Sequence, residues 1–193
     1  MNVSLRLEEA EDYRTVEELT REAFWDIYRP GCVEHLIVYK LRNTPAFVRE
    51  LSYLACDDER IIGSIIYSRA KVVNDENEEF EVLCMGPLSV LPSWQGKGVG
   101  SLLMNYSIEK ARELGFKGIV IYGNPQYYRR FGFTNAEQYE IRTSSGENFD
   151  AFMALELFYG ALKGITGKYY EDKVFEISDA ELESLGYRKF DTI

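Results

Sequence analysis

The spacing of apolar positions changes period along the chain, and each change predicts an element. Val3, Leu5 and Leu7 alternate, as in a short strand. Over 11–27, Val16, Leu19, Ala23, Phe24 and Ile27 fall on one helical face, with Glu17, Glu18 and Glu22 opposite. Tyr28-Arg29-Pro30-Gly31 breaks that helix, and a second short one is predicted over 33–41, ending near Pro45. The stretches 51–56 and 61–69 read as strands around a polar turn, and 80–90 as a third strand after the acidic turn 74–79. Region 51–90 is therefore expected to be an antiparallel meander.

The period then becomes helical again. Val99, Leu102, Leu103 and Tyr106 follow i, i+3, i+4, i+7 spacing, Glu109, Lys110, Arg112 and Glu113 take the outer face, and Gly115 suits the C-terminus. The β-branched run 118–122 follows. Strand, helix, strand predicts a crossover and hence a parallel pair. Asn124-Pro125 starts a short helical turn through 127–131, ended by Gly132. The segments 137–143 and 151–157 are expected to pair antiparallel around the turn 144–148. The stretch 158–193 is less regular, with a capped helix predicted over 178–185. The fold class is α+β: a mixed, mostly antiparallel sheet flanked by helices, with one parallel strand pair.

Composition narrows the function. A chain of 193 residues with 46% hydrophobic and 14% aromatic residues has enough apolar surface for one well-packed domain. The net charge of −10 argues against nucleic acid or an anionic membrane as a general partner. Cys32, Cys56 and Cys84 form no CxxC pair, and His35 is the only histidine, so neither a disulfide framework nor a metal site is expected. There is no GxSxG elbow for a triad nucleophile. The N-terminus has no signal-like segment, and no apolar run approaches the roughly 18–20 residues of a membrane span, so a cytoplasmic protein is expected.

The informative segment is Leu88-Ser89-Val90-Leu91-Pro92-Ser93-Trp94-Gln95-Gly96-Lys97-Gly98-Val99-Gly100, a strand running into a glycine loop that opens a helix. The first N–H groups of a helix have no internal partner, and the helix dipole adds partial positive charge there. Glycines let an anion approach such a backbone closely. The dinucleotide fingerprint GxGxxG fails, because Ser101 stands where its third glycine belongs. The GxxxxGK[ST] loop fails too, because Gly98 follows Lys97.

The spacing instead fits (Gln/Arg)-x-x-Gly-x-(Gly/Ala), from Gln95 through Gly98 to Gly100. It resembles the pyrophosphate loop of the GNAT N-acetyltransferase superfamily, which binds acetyl-CoA. Downstream, Tyr127-Tyr128-Arg129-Arg130-Phe131-Gly132-Phe133 resembles that family's Tyr-x-x-x-Gly-Phe signature, with Tyr128 on its tyrosine. The likeness covers about residues 3–157 and is strongest over 85–133. One departure is Asn124, which lies four residues before Tyr128 where the family often has an asparagine seven before. The resemblance implies a GNAT-type acyl-CoA N-acyltransferase domain over 1–157, with 158–193 as an extension packed on the same domain.

It also implies a chemistry: an amine attacks the thioester of acetyl-CoA directly in a ternary complex, with no acyl-enzyme. The acceptor is a primary amine of a small molecule or peptide. The alternative is a non-catalytic CoA-binding sensor or interaction module with the same fold. In family terms the backbone of Leu88, Ser89 and Val90 meets the pantetheine and the thioester oxygen. The N–H groups of Gly96, Lys97, Gly98, Val99 and Gly100, with Ser101 beside them, hold the pyrophosphate, and Gln95 orients the loop. Tyr128 is the candidate acid for the leaving thiolate, with Tyr127 as fallback. The carboxylates nearest the expected site are Glu81, Glu140 and Asp150, and none is assigned as base. His35 and Cys84 read as structural, and Trp25, Tyr28 and Arg29 either line the acceptor pocket or merely end a helix. A homodimer paired through the C-terminal strands is compatible with the pattern. Between Gly86 and Phe133 six basic residues face two acidic ones, so this segment is locally basic in an acidic chain.

Overall fold

Two long strands carry the architecture. In the computed structural model, which describes residues 3–178, 180 and 181, β3 (Arg60–Val73) and β4 (Glu79–Val90) pair antiparallel over most of their length. On the far side of β3 lie β2 (Tyr53–Asp57) and then β1 (Val3–Leu7), both antiparallel. Beyond β4 comes β5 (Gly118–Tyr122), the parallel partner, reached through the helix α3 (Val99–Glu113). β8 (Phe152–Glu156) pairs antiparallel with β5, and the two-residue β6 (Thr134–Asn135) covers its outer edge. The order β1-β2-β3-β4-β5-β8-β6 makes the mixed sheet that the sequence predicts.

The predicted pairing of 137–143 with 151–157 is wrong. Both edges of β8 are already taken, by β5 and β6. Residues 136–139 form a tight helical turn, capped by Asn135 Oδ1, which accepts from the Glu137 N–H at 2.9 Å. The remaining two-residue β7 (Ile141–Arg142) runs parallel to β9 (Gly167–Tyr170), which also pairs antiparallel with β3. Gly167, at φ +128°, lies so close to the Val73 carbonyl that any Cβ would collide with it. The predicted helix 178–185 lies largely outside the described residues.

Helices cover both faces. α1 (Tyr13–Phe24) stops three residues short of its predicted end. Asp26, at φ +57°, closes the following loop: its Oδ1 accepts from the Gly31 N–H at 2.7 Å and its N–H donates to the Gly31 carbonyl at 3.0 Å. α2 (Glu34–Leu41) packs against α1. Leu83, Met85, Ile119 and Ile121 bury into one core with Leu103 and Met104 of α3. Val82, Cys84, Val120, Phe152 and Tyr169 form a second core on the other side. No described helix is long and apolar enough to cross a membrane.

The N-terminal elements are tied by a buried ionic cluster. Arg42, just past α2, donates to Glu8 Oε1 at 2.6 Å, to Glu17 Oε1 at 2.7 Å and to the Tyr13 carbonyl at 3.2 Å. Its guanidinium also stacks on the Tyr13 ring at 4.1 Å, and Ser52 Oγ donates to Glu8 at 3.0 Å. One cation thus joins β1, α1, α2 and β2. Removing it strands two carboxylates, so Arg42→Ala should lose about 3–5 kcal/mol in urea unfolding. A loss comparable to that of an exposed arginine would show the cluster to be incidental.

His35 of α2 is buried, with Nδ1 3.2 Å from Cys32 Sγ. Burial, helped by the charges of Arg21 and Arg14, lowers its pKa from 6.5 to about 4. The unfolded chain therefore binds this proton more readily, and stability falls as pH drops from 6.5 through 4. The loss is on the order of 2–3 kcal/mol. Urea midpoints at pH 7 and 4.5 should converge more in His35→Gln than in the parent. Equal acid losses in both proteins would refute the assignment.

Candidate active site

The site is built by two strands that part. Leu83 and Cys84 of β4 lie opposite Ile119 and Val120 of β5, and the pairing goes no further. On the β3 side, Leu88 faces Ile65 and Met85 faces Tyr67, so Gly86 and Pro87 together oppose Ile66. That extra residue is a bulge, which bends and twists the strand away from its neighbour. Gly86, at φ +138°, has open space around its Cβ position, so conformation rather than room calls for glycine there.

Past the bulge, no described strand pairs with one edge of β4. Leu91 N–H donates to the Ile62 carbonyl of β3 at 3.0 Å. Backbone groups alternate sides along a strand, so those of Leu88 and Val90 face the gap. Gln95 Nε2 donates to the Val90 carbonyl at 3.1 Å and ties the glycine loop to the strand. Ser89 turns the other way, its buried Oγ donating to Thr20 Oγ1 of α1 at 3.1 Å.

The glycine loop forms a bare cradle. Gly96 and Gly98 have φ of +71° and +88°, and a Cβ at either would meet no atom within 4 Å. Gly98 caps α3, and its carbonyl accepts from Leu102 N–H at 3.0 Å. The N–H groups of Val99, Gly100 and Ser101 therefore have no partner within the helix. The Val99 side chain is buried beneath, while Lys97 Nζ lies 5.2 Å from the Trp94 ring.

The second signature forms the far wall. Asn124 Oδ1 accepts from Gln126 N–H at 2.9 Å and caps the single turn α4 (Pro125–Tyr128), which accounts for this asparagine structurally. Neighbouring residues on a helical turn diverge by about 100°, so the two tyrosines point to different neighbours although their rings meet edge-on at 5.0 Å. The Tyr127 hydroxyl lies 2.6 Å from where a Gly100 Cβ would stand, and the Arg130 guanidinium stacks on its ring at 4.0 Å. The Tyr128 ring lies against Gly123 at the end of β5, leaving no room for a Cβ there, and meets Phe133 edge-on at 5.7 Å. Burial, with smaller contributions from Tyr127 and Tyr28, raises the Tyr128 phenol well above its usual range. It holds its proton at any working pH.

Leu88, Val90, Gln95, the loop 96–101, Tyr127 and Tyr128 thus converge on the fork. The candidate carboxylates do not. Glu81 is exposed and paired with Arg69 at 2.7 Å, while Glu140 and Asp150 are exposed on loops. Burial pushes the Cys84 thiol up to about 12, so it is no resting nucleophile. Trp25 and Tyr28 are exposed beyond α1, Trp25 beneath the Arg21 guanidinium at 4.5 Å.

One group at the fork goes unnoticed in the sequence. Cys84 Sγ donates to Glu171 Oε2 at 3.8 Å. Burial, with the charge of Glu176 adding, raises the Glu171 carboxyl to about 7, although the Cys84 contact opposes the rise. Glu171 follows a four-residue strand in a stretch without clear apolar period, so nothing local points to it. Among the described residues no group of three His, Cys, Asp or Glu is placed to hold a metal ion.

The arrangement matches known proteins. The sequence profile of the Acetyltransferase (GNAT) family matches residues 13–133. The uncharacterized N-acetyltransferase YhbS of Escherichia coli strain K12 is 29% identical over 170 residues, 86% of this chain and 96% of its own. The crystal structure of E. coli YhbS in complex with CoA superposes with a TM-score of 0.80 at 27% identity, covering 91% of this chain and 92% of that one. A GNAT family acetyltransferase from Brucella melitensis, in complex with acetyl-CoA, gives 0.72 at 26% identity, covering 90% and 98%. Matched over more than half its length and folded as these proteins are, the chain belongs to the Acetyltransferase (GNAT) family.

Proposed function

We propose that the chain transfers an acetyl group from acetyl-CoA to a primary amine of a small molecule or peptide, by direct attack in a ternary complex. The observation that carries this reading is the glycine cradle at the end of the unpaired edge of β4, with Tyr128 resting on Gly123 at the end of β5 across the gap. The N–H groups from Gly96 to Ser101 offer donors and partial positive charge to a pyrophosphate, with Lys97 at the rim. The bare Cβ positions of Gly96 and Gly98 suit a ligand that presses on the backbone. Leu88 and Val90 offer N–H and carbonyl groups to the amides of a pantetheine arm, as a neighbouring strand would.

When bound, acetyl-CoA supplies an acyl carbon activated by its thioester. The chain's own tasks are then positioning, stabilising charge and moving protons. A β4 N–H in the gap polarises the thioester oxygen. Tyr128 gives its proton to the departing thiolate. That the reading requires no protein nucleophile agrees with a buried Cys84 of raised pKa and with His35 locked against Cys32. Two similar proteins support the donor: E. coli YhbS was crystallised with CoA, and the Brucella protein with acetyl-CoA.

Gly98→Val places a β-branched residue at positive φ, which costs roughly 1–3 kcal/mol, and puts two methyl groups into the cradle. CoA affinity measured by calorimetry should fall at least tenfold; unchanged affinity would remove the loop from the site. Tyr128→Phe should lower turnover by roughly a hundredfold in a thiol-release assay while CoA binding stays within twofold. Tyr127→Phe should leave turnover within a few-fold. Reversal of those two results would move the acid to Tyr127. Tight CoA binding without acetylation of any amine would favour a sensor over an enzyme.

A further inference from the structure

The transfer reading leaves the acceptor's proton without a destination, and the C-terminal segment supplies one. β9 pairs with β3 so that Tyr170 lies opposite Lys71, and continuing that register places Glu171 beside Ala70. Side chains alternate along a strand, which puts Glu171 on the face of Tyr169, Ala70 and Cys84, away from α3. On β3 only the small side chains of Ser68 and Ala70 stand between it and β4. Its carboxylate reaches past them to Cys84 Sγ at 3.8 Å. Cys84 is on the last rung joining β4 to β5, so the carboxylate stands at the root of the fork.

Tyr128 meets the same fork from the β5 side. Its ring rests on Gly123, three residues past the Cys84–Val120 rung and so about 10 Å along the strand. On the Glu171 face the end of β5 carries Tyr122, stacked with Phe149 at 6.0 Å, and both rings are nearly half exposed. The Tyr122 ring meets the Tyr169 ring of β9, two residues before Glu171, at 6.2 Å, which brings ring and carboxylate into one neighbourhood. Aromatic faces beside a carboxylate suit an alkylammonium.

We propose that Glu171 binds the acceptor's ammonium group and takes its proton before attack, an assignment that rests on the transfer reading above. The ammonium N–H bond breaks and the proton passes to Glu171 Oε, then to water as the proton the reaction releases. The freed lone pair forms the C–N bond, and the C–S bond breaks as Tyr128 protonates the thiolate. The second proton lost by nitrogen returns through water to the tyrosinate. A carboxyl poised near 7 is matched to this task at neutral pH. The titratable groups around it are Cys84 from β4, Tyr122 from β5, Tyr169 from β9, and Glu176 beyond the turn Lys173–Phe175, and the cavity it lines is shared by Arg69 and Lys71 of β3, Glu79 and Glu81 of β4, and Asp172.

The test is Glu171→Gln in the full chain, with acetyl-CoA and three amines: butylamine, spermidine and a lysine-containing peptide. CoA affinity should stay within twofold, and kcat/KM for the amine should fall at least thirtyfold at pH 7. The deficit should shrink toward pH 9.5, where the amine arrives neutral, and Glu171→Asp should recover part of the activity. The variant should also gain in Tm at pH 8. A carboxyl whose folded pKa is raised above 4.5 loses stability as pH rises through 7, and glutamine lacks that penalty. Turnover within threefold of the parent, or a deficit equal at every pH, overturns the proposal. If the parent acetylates none of the amines, butylammonium binding to the CoA-loaded protein decides. Binding lost in the variant supports Glu171, and binding absent from the parent or kept by the variant overturns it. A parent that binds no CoA fails the transfer reading itself, and the proposal falls with it.

Discussion

A strand inside a sheet ordinarily satisfies its backbone polar groups on two neighbours. β4 does so only as far as Cys84. The bulge at Gly86 and Pro87 turns it away from β5, and from there no described strand pairs with its second edge. An interior strand with a free edge invites a guest that behaves as a strand, and pantetheine, with its amides in line, is such a molecule. The glycine loop lies at one end of that edge, and Tyr128 rests on Gly123 across the gap. Were β4 to stay paired, the glycine loop would hold an anion with nowhere to lay its tail.

The local signals for this arrangement were strong because they are backbone signals. Glycine at 96 and 98 is required by left-handed backbone angles, and the apolar spacing from Val99 to Tyr106 marks the helix they open. The strand–helix–strand order required a parallel pair, which the sheet has. The resemblance to the family carried Tyr128, because only the motif distinguishes it from the other tyrosines. The bulge could not be read in this way: its evidence is a register shift against β3, a relation between strands distant in sequence.

The same reason explains why the chain past residue 133 departs from its local pattern. Short strands have little period, and their partners are decided by which edges remain open. β8 had none left after β5 and β6, so Ile141 and Arg142 turned to β9. That exchange brings the chain after β9 back across the middle of the sheet and sets Glu171 beside Cys84. Two residues 87 positions apart meet through a pairing that no local pattern announces.

The contact between Tyr127 and Gly100 has a consequence for how such a chain can change. The phenol oxygen occupies the space a methyl group at position 100 would need. The same tyrosine is the immediate neighbour of Tyr128 on the one-turn helix capped by Asn124, and the two rings meet edge-on at 5.0 Å. A side chain gained at the start of α3 would push on the Tyr127 ring and through it on α4, where Tyr128 sits. Alanine at 100 therefore needs the tip of the Tyr127 ring to give way, whereas phenylalanine at 127 would leave that space free, so the side chain tolerated at one position depends on the other.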